Sequence, residues 1–283
     1  MLRPIGIASA HMECRDFKQT LPVLTDLLAF EQIAGDPAQA TLKHPNTDWL
    51  LIVHEGGSET PVKQMHNHFG VRVATKGEVD AAHDYLTSHK KEYGLIQIGQ
   101  PLSAHGSYSL YFLEPGTNGW EIECYEDVQD RQKVQTWSGG VWTYHWEKTL
   151  PAERFPGRGY VPQGFTHGTL AIGDLKTSWN FYSKVLGLEV FQANDYVVYV
   201  KHPKTKCYIV CAERENWKGF SANFRFTIHL ESRQAVADAY RWLSGEGKDL
   251  GVTELWELQA NGAGPCFFLR DPDGNCWELS APE

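Results

Sequence analysis

The sequence lacks the features that mark a membrane, secreted or nucleic-acid-binding protein. Its longest apolar run, around residues 49–53, is far shorter than the roughly 20 residues that a membrane helix needs. No long apolar stretch precedes a small-residue cleavage site near the N-terminus, so no secretory leader is predicted. The net charge is −9, without a stripe of lysine and arginine, which disfavours nucleic acid as a partner. The six cysteines include no Cys-x-x-Cys pair, so we expect reduced thiols in a cytoplasmic protein.

What the sequence does contain is a large internal repeat. Its 283 residues, 42% of them apolar, are enough for two domains. His11 and His167 each lie in a short apolar segment that precedes a helix-period segment, and they are 156 residues apart. Glu121 and Glu278 each end a Pro-x-x-x-x-Trp-Glu-type segment and are 157 residues apart. Two markers at nearly the same spacing predict a duplication.

Each half of the repeat divides again into two strand–helix–strand units. Residues 68–73 read as a strand followed by a helix, and residues 225–230 open the matching unit of the second half. Short strands with turn signals between them predict an α+β fold whose helices pack outside curved sheets. The predicted domains are residues 1–128 and 164–283. Residues 129–163, rich in glycine, proline and aromatics, are predicted to be a connector whose aromatic side chains pack on the body.

These patterns resemble the vicinal-oxygen-chelate superfamily, which includes glyoxalases, bleomycin-resistance proteins and type I extradiol dioxygenases. The resemblance rests on the strand histidine, on Asp174-Leu followed by Leu186-Gly-Leu-Glu-Val190, and on the Asp271-Pro-Asp-Gly-Asn turn. It covers nearly the whole chain apart from the connector. It implies that each domain consists of two βαβββ modules, which form an open, curved sheet around a metal ion.

The resemblance also implies a metal site in the N-terminal half. Family ligands come from the first strands of both modules and from the last strand of the second, which here carry His11, His68 and Glu121. Two imidazoles and a carboxylate leave coordination positions open for substrate and dioxygen, which favours Fe(II), with Mn(II) as the alternative. Each residue alone would more often have an ordinary structural role, so the prediction depends on all three matching together.

The C-terminal half departs from this ligand pattern. His167 and Glu278 hold the first and third positions, but Arg225 holds the second and has no lone pair to donate. His229 lies four residues further, at roughly 13 Å along a strand, which is too far to replace that ligand. We therefore expect no metal in this half. A site of His167, His229 and Glu278, or one combining His11 with the last two, is the less favoured arrangement.

The segment before Glu121 resembles the extradiol dioxygenase signature. It places His105 and Tyr111 upstream of an acidic residue and a proline, although the gap after His105 is one residue shorter than usual. The resemblance implies that Tyr111 steadies a substrate oxygen and that His105 lines the substrate pocket. An acid/base histidine is expected near the last strand of the first module, where His54 is nearest and His66 is another candidate.

The predicted activity is that of an Fe(II)-dependent, ring-cleaving, extradiol-type dioxygenase. It would use dioxygen to open a catechol-like or hydroquinone-like aromatic compound; whether the chain forms a homo-oligomer stays open. A glyoxalase-like isomerase or lyase is an alternative, but such enzymes usually take a fourth ligand where the apolar residues 50–53 lie. A metal-free protein that sequesters an aromatic antibiotic is the other alternative.

Overall fold

The computed structural model describes residues 1–56, 67–104, 106–125, 146, 148–215, 220–261 and 264–282. The chain divides into two compact units. The central unit comprises Met12–Thr169, and the terminal unit comprises Met1–His11 together with Leu170–Glu283. No helix in the described ranges is both long and apolar enough to cross a membrane.

In its described residues, the central unit contains two sets of strands and two α-helices. The helices are α1 (Phe17–Pro22), extended by a π-helical turn (Val23–Leu27), and α2 (Lys76–Ser88). Strands β2 (Glu31–Gly35), β3 (Gln39–Lys43) and β4 (Leu50–Glu55) form an antiparallel meander. The other strands are β5 (His68–Arg72), β6 (Gln97–Ile98), β7 (Leu102–Ala104), β8 (Ser107–Leu113), β9 (Gly119–Cys124) and the start of β10 (Gly164–Ile172). Here β5 lies between β10 and β9 and runs parallel to β9, and β8 pairs with β9 on the other side.

The terminal unit repeats this arrangement. Its helices are α3 (Leu175–Asn180), extended by a π-helical turn (Phe181–Val185), and α4 (Arg233–Glu246). Strands β11 (Glu189–Asn194), β12 (Val197–Lys201) and β13 (Tyr208–Glu213) form the meander. The other strands are most of β1 (Pro4–Cys14), β14 (Arg225–Leu230), β15 (Glu254–Leu255), β16 (Gln259–Asn261), β17 (Gly264–Arg270) and β18 (Cys276–Ser280). Strand β14 lies between β1 and β18 and runs parallel to β18.

The first helix of each half is built by the same local devices. The carboxylates of Asp16 and Asp174 cap the two helices by accepting a hydrogen bond from a backbone N–H in the first turn. Each helix then passes through a π-helical turn and ends near a residue with positive φ, Ala29 (φ 64°) or Gly187 (φ 72°). Gly187 is required there because a Cβ would lie 2.4 Å from the carbonyl oxygen of Leu2. These counterparts are 158 residues apart, two more than the spacing between His11 and His167.

The α+β class and the repeated strand–helix–strands modules are confirmed. The predicted boundaries, 1–128 and 164–283, differ from the two compact units at the first strand of each half. Strand β1 pairs with β14, so the start of the chain joins the terminal unit. Strand β10 pairs with β5, so its first residues join the central unit. The first strand of each half thus pairs with the first strand of the second module of the other half.

The described end of the connector packs on the central unit. Leu150, Phe155 and Val161 are buried together with Ala29. The amide side chain of Gln163 bonds both to the N–H and to the carbonyl of Leu150, which closes the segment into a loop. Three of the aromatic residues predicted to pack, Trp137, Trp142 and Tyr144, lie outside the described residues, whereas Trp146 is partly buried.

An aromatic core supports the sheet of the central unit. The rings of Phe30, Trp120 and Phe165 contact one another, and Trp49 stacks on Phe165 with centroids 4.9 Å apart. Phe69 completes this cluster. Phe69 and Trp120 alternate along β5 and β9 with His68 and Glu121, so the strands bury apolar side chains on one face and present polar ones on the other.

Candidate metal centre

Two histidines and one carboxylate converge in the central unit. The Nε2 atoms of His68 and His167 lie 3.0 and 3.2 Å from the same carboxylate oxygen, Oε2 of Glu121. One ligand atom from each residue lies within 4.8 Å of the others, as a bound divalent cation requires. The side chain of His68 is 13% exposed, whereas those of His167 and Glu121 are 2% and 5% exposed. The cluster is therefore reached from the side of His68.

The register of the sheet explains why these side chains meet. His167 of β10 lies opposite Gly70 of β5, Gly70 lies opposite Glu121 of β9, and Glu121 lies opposite Tyr111 of β8. A β-bulge lies between Phe165 and His167. Because the bulge adds a residue to the strand, Phe165 can join the aromatic core while His167 faces the ligands.

The absence of a side chain at Gly70 makes room for the ring of His167. A Cβ at this position would lie 2.0 Å from Cε1 and 2.4 Å from Nδ1 of His167. Contacts that short cannot exist, so any other residue would force the imidazole to move. A glycine inside a strand often marks such a close approach, and this one was not used in the sequence prediction.

The groups of the cluster shift one another's pKa values. Burial raises the pKa of Glu121, but hydrogen bonds with His167 and His68 outweigh it and hold this pKa well below its usual range. Burial lowers the pKa of His167, but the charge of Glu123 and the contact with Glu121 raise it to about 9. A divalent cation bound by these residues would compete with a proton on His167.

Tyr111 contacts the other oxygen of the same carboxylate. Its hydroxyl donates a hydrogen bond of 2.7 Å to Oε1 of Glu121, and its ring meets His68 edge-on with centroids 5.2 Å apart. Burial, together with the negative charge of Glu121, raises the pKa of Tyr111, so the phenol remains a donor at neutral pH. This contact therefore fixes the orientation of the Glu121 carboxylate.

A second buried carboxylate fixes the turn that leads into β9. Glu114 accepts hydrogen bonds from Thr20 Oγ1 (2.8 Å), Gly116 N (2.7 Å) and Asn118 N (3.1 Å). Asp271 holds the equivalent turn of the terminal unit by accepting from the backbone of Asn275 (2.9 Å). The acidic residue before the proline, which contributed to the resemblance with the dioxygenase signature, thus has a structural role in both halves.

The predicted ligand His11 lies elsewhere. Its Nε2 is 2.9 Å from Thr227 Oγ1, 3.1 Å from Ser9 Oγ and 3.7 Å from Glu278 Oε2, all within the terminal unit. In place of the predicted set of His11, His68 and Glu121, the structure groups His68 and Glu121 with His167. The physical reason is strand pairing: β1, which carries His11, pairs with β14, whereas β10, which carries His167, pairs with β5.

The register also corrects the predicted correspondence between His11 and His167. His167 lies opposite Gly70 of β5. Ser9 lies opposite Thr227 of β14, which is the counterpart of Gly70. Ser9, 158 residues before His167, is thus its structural equivalent. His11 lies two residues further along β1 and reaches Glu278 from there.

The less favoured arrangements are also corrected. His167 belongs to the central cluster, so it cannot form a site with Glu278 and His229. His11 does approach Glu278, but Thr227 and Arg225 complete that group instead of His229. His229 lies opposite Ser280 in the sheet. Among the described residues, only the central cluster has the grouping of ligand atoms that a metal needs.

Arg225 occupies the place that corresponds to His68. Its Nε donates a hydrogen bond of 2.7 Å to Oε2 of Glu278, and Nη1 donates to the carbonyl of Ala222 at 3.0 Å. The guanidinium lies over the ring of Phe268, the counterpart of Tyr111, at 5.0 Å from its centroid. A fixed internal cation thus faces the carboxylate that corresponds to Glu121.

The remaining predicted catalytic residues are not part of the cluster as described. His54 lies on β4 opposite Gln39, in the meander, and does not belong to the group of ligands. His105 and His66 lie outside the described residues. The roles predicted for these three histidines stay predictions.

Comparison with known proteins agrees with this architecture. Among curated proteins, none matches the sequence. The chain is similar in structure to glyoxalase I from Zea mays, with 15% identity and a TM-score of 0.63 over 98% of this chain and 92% of that one. It is also similar to a putative dioxygenase from Bacillus subtilis subsp. subtilis str. 168, with 11% identity and a TM-score of 0.65 over 100% of this chain and 86% of the other. At these identities the similarity shows the fold alone.

A family model matches both halves of the sequence, over residues 11–123 and 164–279. These two matches cover most of the chain and leave out the connector. The chain therefore belongs to the Glyoxalase/Bleomycin resistance protein/Dioxygenase superfamily.

Proposed function

We propose that His68, Glu121 and His167 bind one divalent metal ion. The donor set fits such an ion because two imidazole nitrogens already point at one carboxylate oxygen, at 3.0 and 3.2 Å. Two histidines and one carboxylate are the facial set typical of Fe(II) in oxygen-activating enzymes, with Mn(II) as the alternative. When bound, the metal would supply open coordination positions for substrate oxygens and for dioxygen.

We further propose that the protein is a ring-cleaving, extradiol-type dioxygenase acting on a catechol-like or hydroquinone-like aromatic compound. The observation that supports this activity most is the three-ligand composition of the cluster. Among the described residues, no fourth histidine, cysteine or carboxylate joins it. An open three-ligand site suits dioxygen chemistry, whereas a glyoxalase-like isomerase usually needs a fourth protein ligand.

The protein side chains of the site have separable roles in this proposal. Tyr111 stays protonated and donates to Glu121, so it fixes the orientation of the carboxylate. The partly exposed edge of His68 marks the side from which a flat aromatic substrate would enter. Proton transfer to and from the substrate would fall to a nearby histidine, for which His54 and His66 stay the candidates.

The test is to purify the protein without oxygen, determine its metal and follow oxygen uptake with a panel of catechols and hydroquinones. We expect iron-dependent oxygen uptake and a yellow ring-cleavage product. His167→Ala should lose both metal and activity, and Ser9→Ala is the matched control from the equivalent position of the terminal unit. Nickel- or zinc-dependent isomerase activity without oxygen uptake would contradict the dioxygenase proposal. Aromatic binding without any metal would contradict the metal site itself.

A further inference from the structure

A second carboxylate lies behind the candidate metal cluster. Glu123 is two residues from Glu121 on β9, so both side chains leave the same face of the strand. It is 1% exposed. It lies opposite Arg72 of the neighbouring strand β5 and is paired with it. Its Oε1 accepts hydrogen bonds from Nη2 of Arg72 at 2.6 Å and from Nε at 3.1 Å. Because a buried ion pair is costly to desolvate, we expect this pair to have a role at the cluster.

Thr166 connects this ion pair to His167. Its Oγ1 lies 3.0 Å from Oε1 of Glu123 and 3.1 Å from Nδ1 of His167. The carbonyl of Gly70, also 3.1 Å away, is a competing acceptor for the hydroxyl proton. The charged carboxylate is the stronger acceptor. The hydroxyl can therefore donate to Glu123 while accepting from the Nδ1–H of His167.

This chain of hydrogen bonds selects one state of the imidazole. If Nδ1 of His167 carries a proton toward Thr166, the lone pair of a neutral ring is on Nε2. Nε2 is the atom that lies 3.2 Å from Glu121, within the cluster. Ligating histidines commonly donate their other N–H to such an acceptor, which fixes both the tautomer and the ring orientation.

The terminal unit provides an internal control for the role of these residues. Its equivalent positions, taken from the strand register, lack the bulge hydroxyl, the carboxylate and the guanidinium. They are Ala8 for Thr166, Ser280 for Glu123 and His229 for Arg72. The same strand pairings form there without the relay, and Ser9 replaces the histidine. The relay therefore accompanies the ligand and is not needed to build the fold.

We propose that Arg72, Glu123 and Thr166 form a positioning relay that holds His167 with Nδ1–H directed away from the metal and Nε2 directed toward it. The three are positioning residues, because they act on the metal only through His167. The inference rests on the proposed metal site and adds residues outside the ligand set to it.

The decisive pair of variants is Thr166→Val and Thr166→Ser. The valine keeps the shape of the side chain and removes the hydroxyl, whereas the serine keeps the hydroxyl. Zn(II) affinity is measured by competition with a chelator, and the Nδ1–H of His167 is followed by NMR in the zinc-loaded protein. We expect Thr166→Val to weaken Zn(II) binding roughly 10–100-fold and to speed exchange of this proton with water. Thr166→Ser should restore both.

Glu123→Gln tests the next member of the relay, with Ser280→Ala as its counterpart in the terminal unit. Glu123→Gln should weaken Zn(II) binding in the same direction, and Ser280→Ala should leave it unchanged. If Glu123→Gln does not fold, the threonine pair decides. Wild-type affinity and an unchanged Nδ1–H signal in Thr166→Val would overturn the relay while leaving the metal site intact. Equal Zn(II) binding by wild type and His68→Ala would overturn the metal site and, with it, the relay.

Discussion

In each unit, four aligned positions on four neighbouring strands form a row across the sheet. Three of these four positions carry different side chains in the two units. In the central unit the row, read across β10, β5, β9 and β8, is His167, Gly70, Glu121 and Tyr111. In the terminal unit, read across β1, β14, β18 and β17, it is Ser9, Thr227, Glu278 and Phe268. Only the glutamate is common to both rows, so the duplicated sheet is independent of the ligand set that it carries.

The terminal unit pairs the corresponding carboxylate with a cationic side chain. Glu278 is still partly buried and still needs a positive partner. The guanidinium of Arg225 supplies it at 2.7 Å, in the place that corresponds to His68 of the central unit. The central unit thus has three side chains that could bind a metal ion. In the terminal unit, the positive charge belongs to the side chain of Arg225.

The largest expected contrast comes from alanine at the position that distinguishes the two units most. His68→Ala should abolish tight metal binding, because two ligands cannot complete the facial set. Arg225→Ala should leave the metal content unchanged. Both are measured by metal analysis after dialysis against a weak chelator. Loss of metal in Arg225→Ala but not in His68→Ala would mean that the terminal unit is the metal-binding one.

A methyl group at Gly70 should have the next largest effect. Gly70→Ala would place a Cβ 2.0 Å from the ring of His167, so the imidazole must leave its present position. We expect metal affinity to fall by more than about 100-fold, beyond what loss of an outer-shell partner causes. Thr227→Ala, the counterpart in the terminal unit, should not change it. Unchanged affinity in Gly70→Ala would show that His167 is not a ligand.

A smaller effect, a gain of metal binding, is expected when residues of the central row are introduced at the equivalent positions of the terminal unit. Ser9→His, Arg225→His and Thr227→Gly together place the central ligand set around Glu278. We expect the metal content to rise from one to two ions per chain, with the second ion bound roughly 10–100-fold more weakly because the relay residues are missing there. Arg225→His alone should not add an ion, since Ser9 offers no imidazole. A second ion in that single variant would show that His11 can serve as a ligand.

The sequence predicted the modules and two of the three clustered residues, His68 and Glu121. It did not predict that His167 joins them. The family resemblance assigned His68 and Glu121 to ligand positions, and the duplication predicted the repeated modules. Which first strand completes each sheet is decided by long-range pairing, which no local pattern records. The 156-residue spacing of His11 and His167 was misleading, because the capped helices that follow are 158 residues apart. That spacing and the isolated Gly70 were the two signals that could have corrected the assignment.

The smallest contrast between the two units concerns a feature that the duplication preserved in both. His44 of the central unit is buried; its Nδ1 accepts from Asn46 N–H, and its Nε2–H donates to the carbonyl of Pro162. In the terminal unit, His202 makes the same two contacts, with Lys204 N–H and the carbonyl of Pro4. Burial lowers the pKa of His44 to about 4 and also lowers that of His202.

A lowered histidine pKa makes the folded state less stable in acid. Above the unfolded pKa of about 6.5 both states are neutral, and as the pH falls toward 4 only the unfolded chain gains the proton. For His44 this should lower the free energy of unfolding by about 3 kcal/mol between pH 6.5 and 4. His44→Gln keeps a donor for Pro162 and should lose that part of the pH dependence in urea unfolding, and His202→Gln should act in the same direction. Equal slopes for His44→Gln and wild type would show that His44 is protonated in the folded protein.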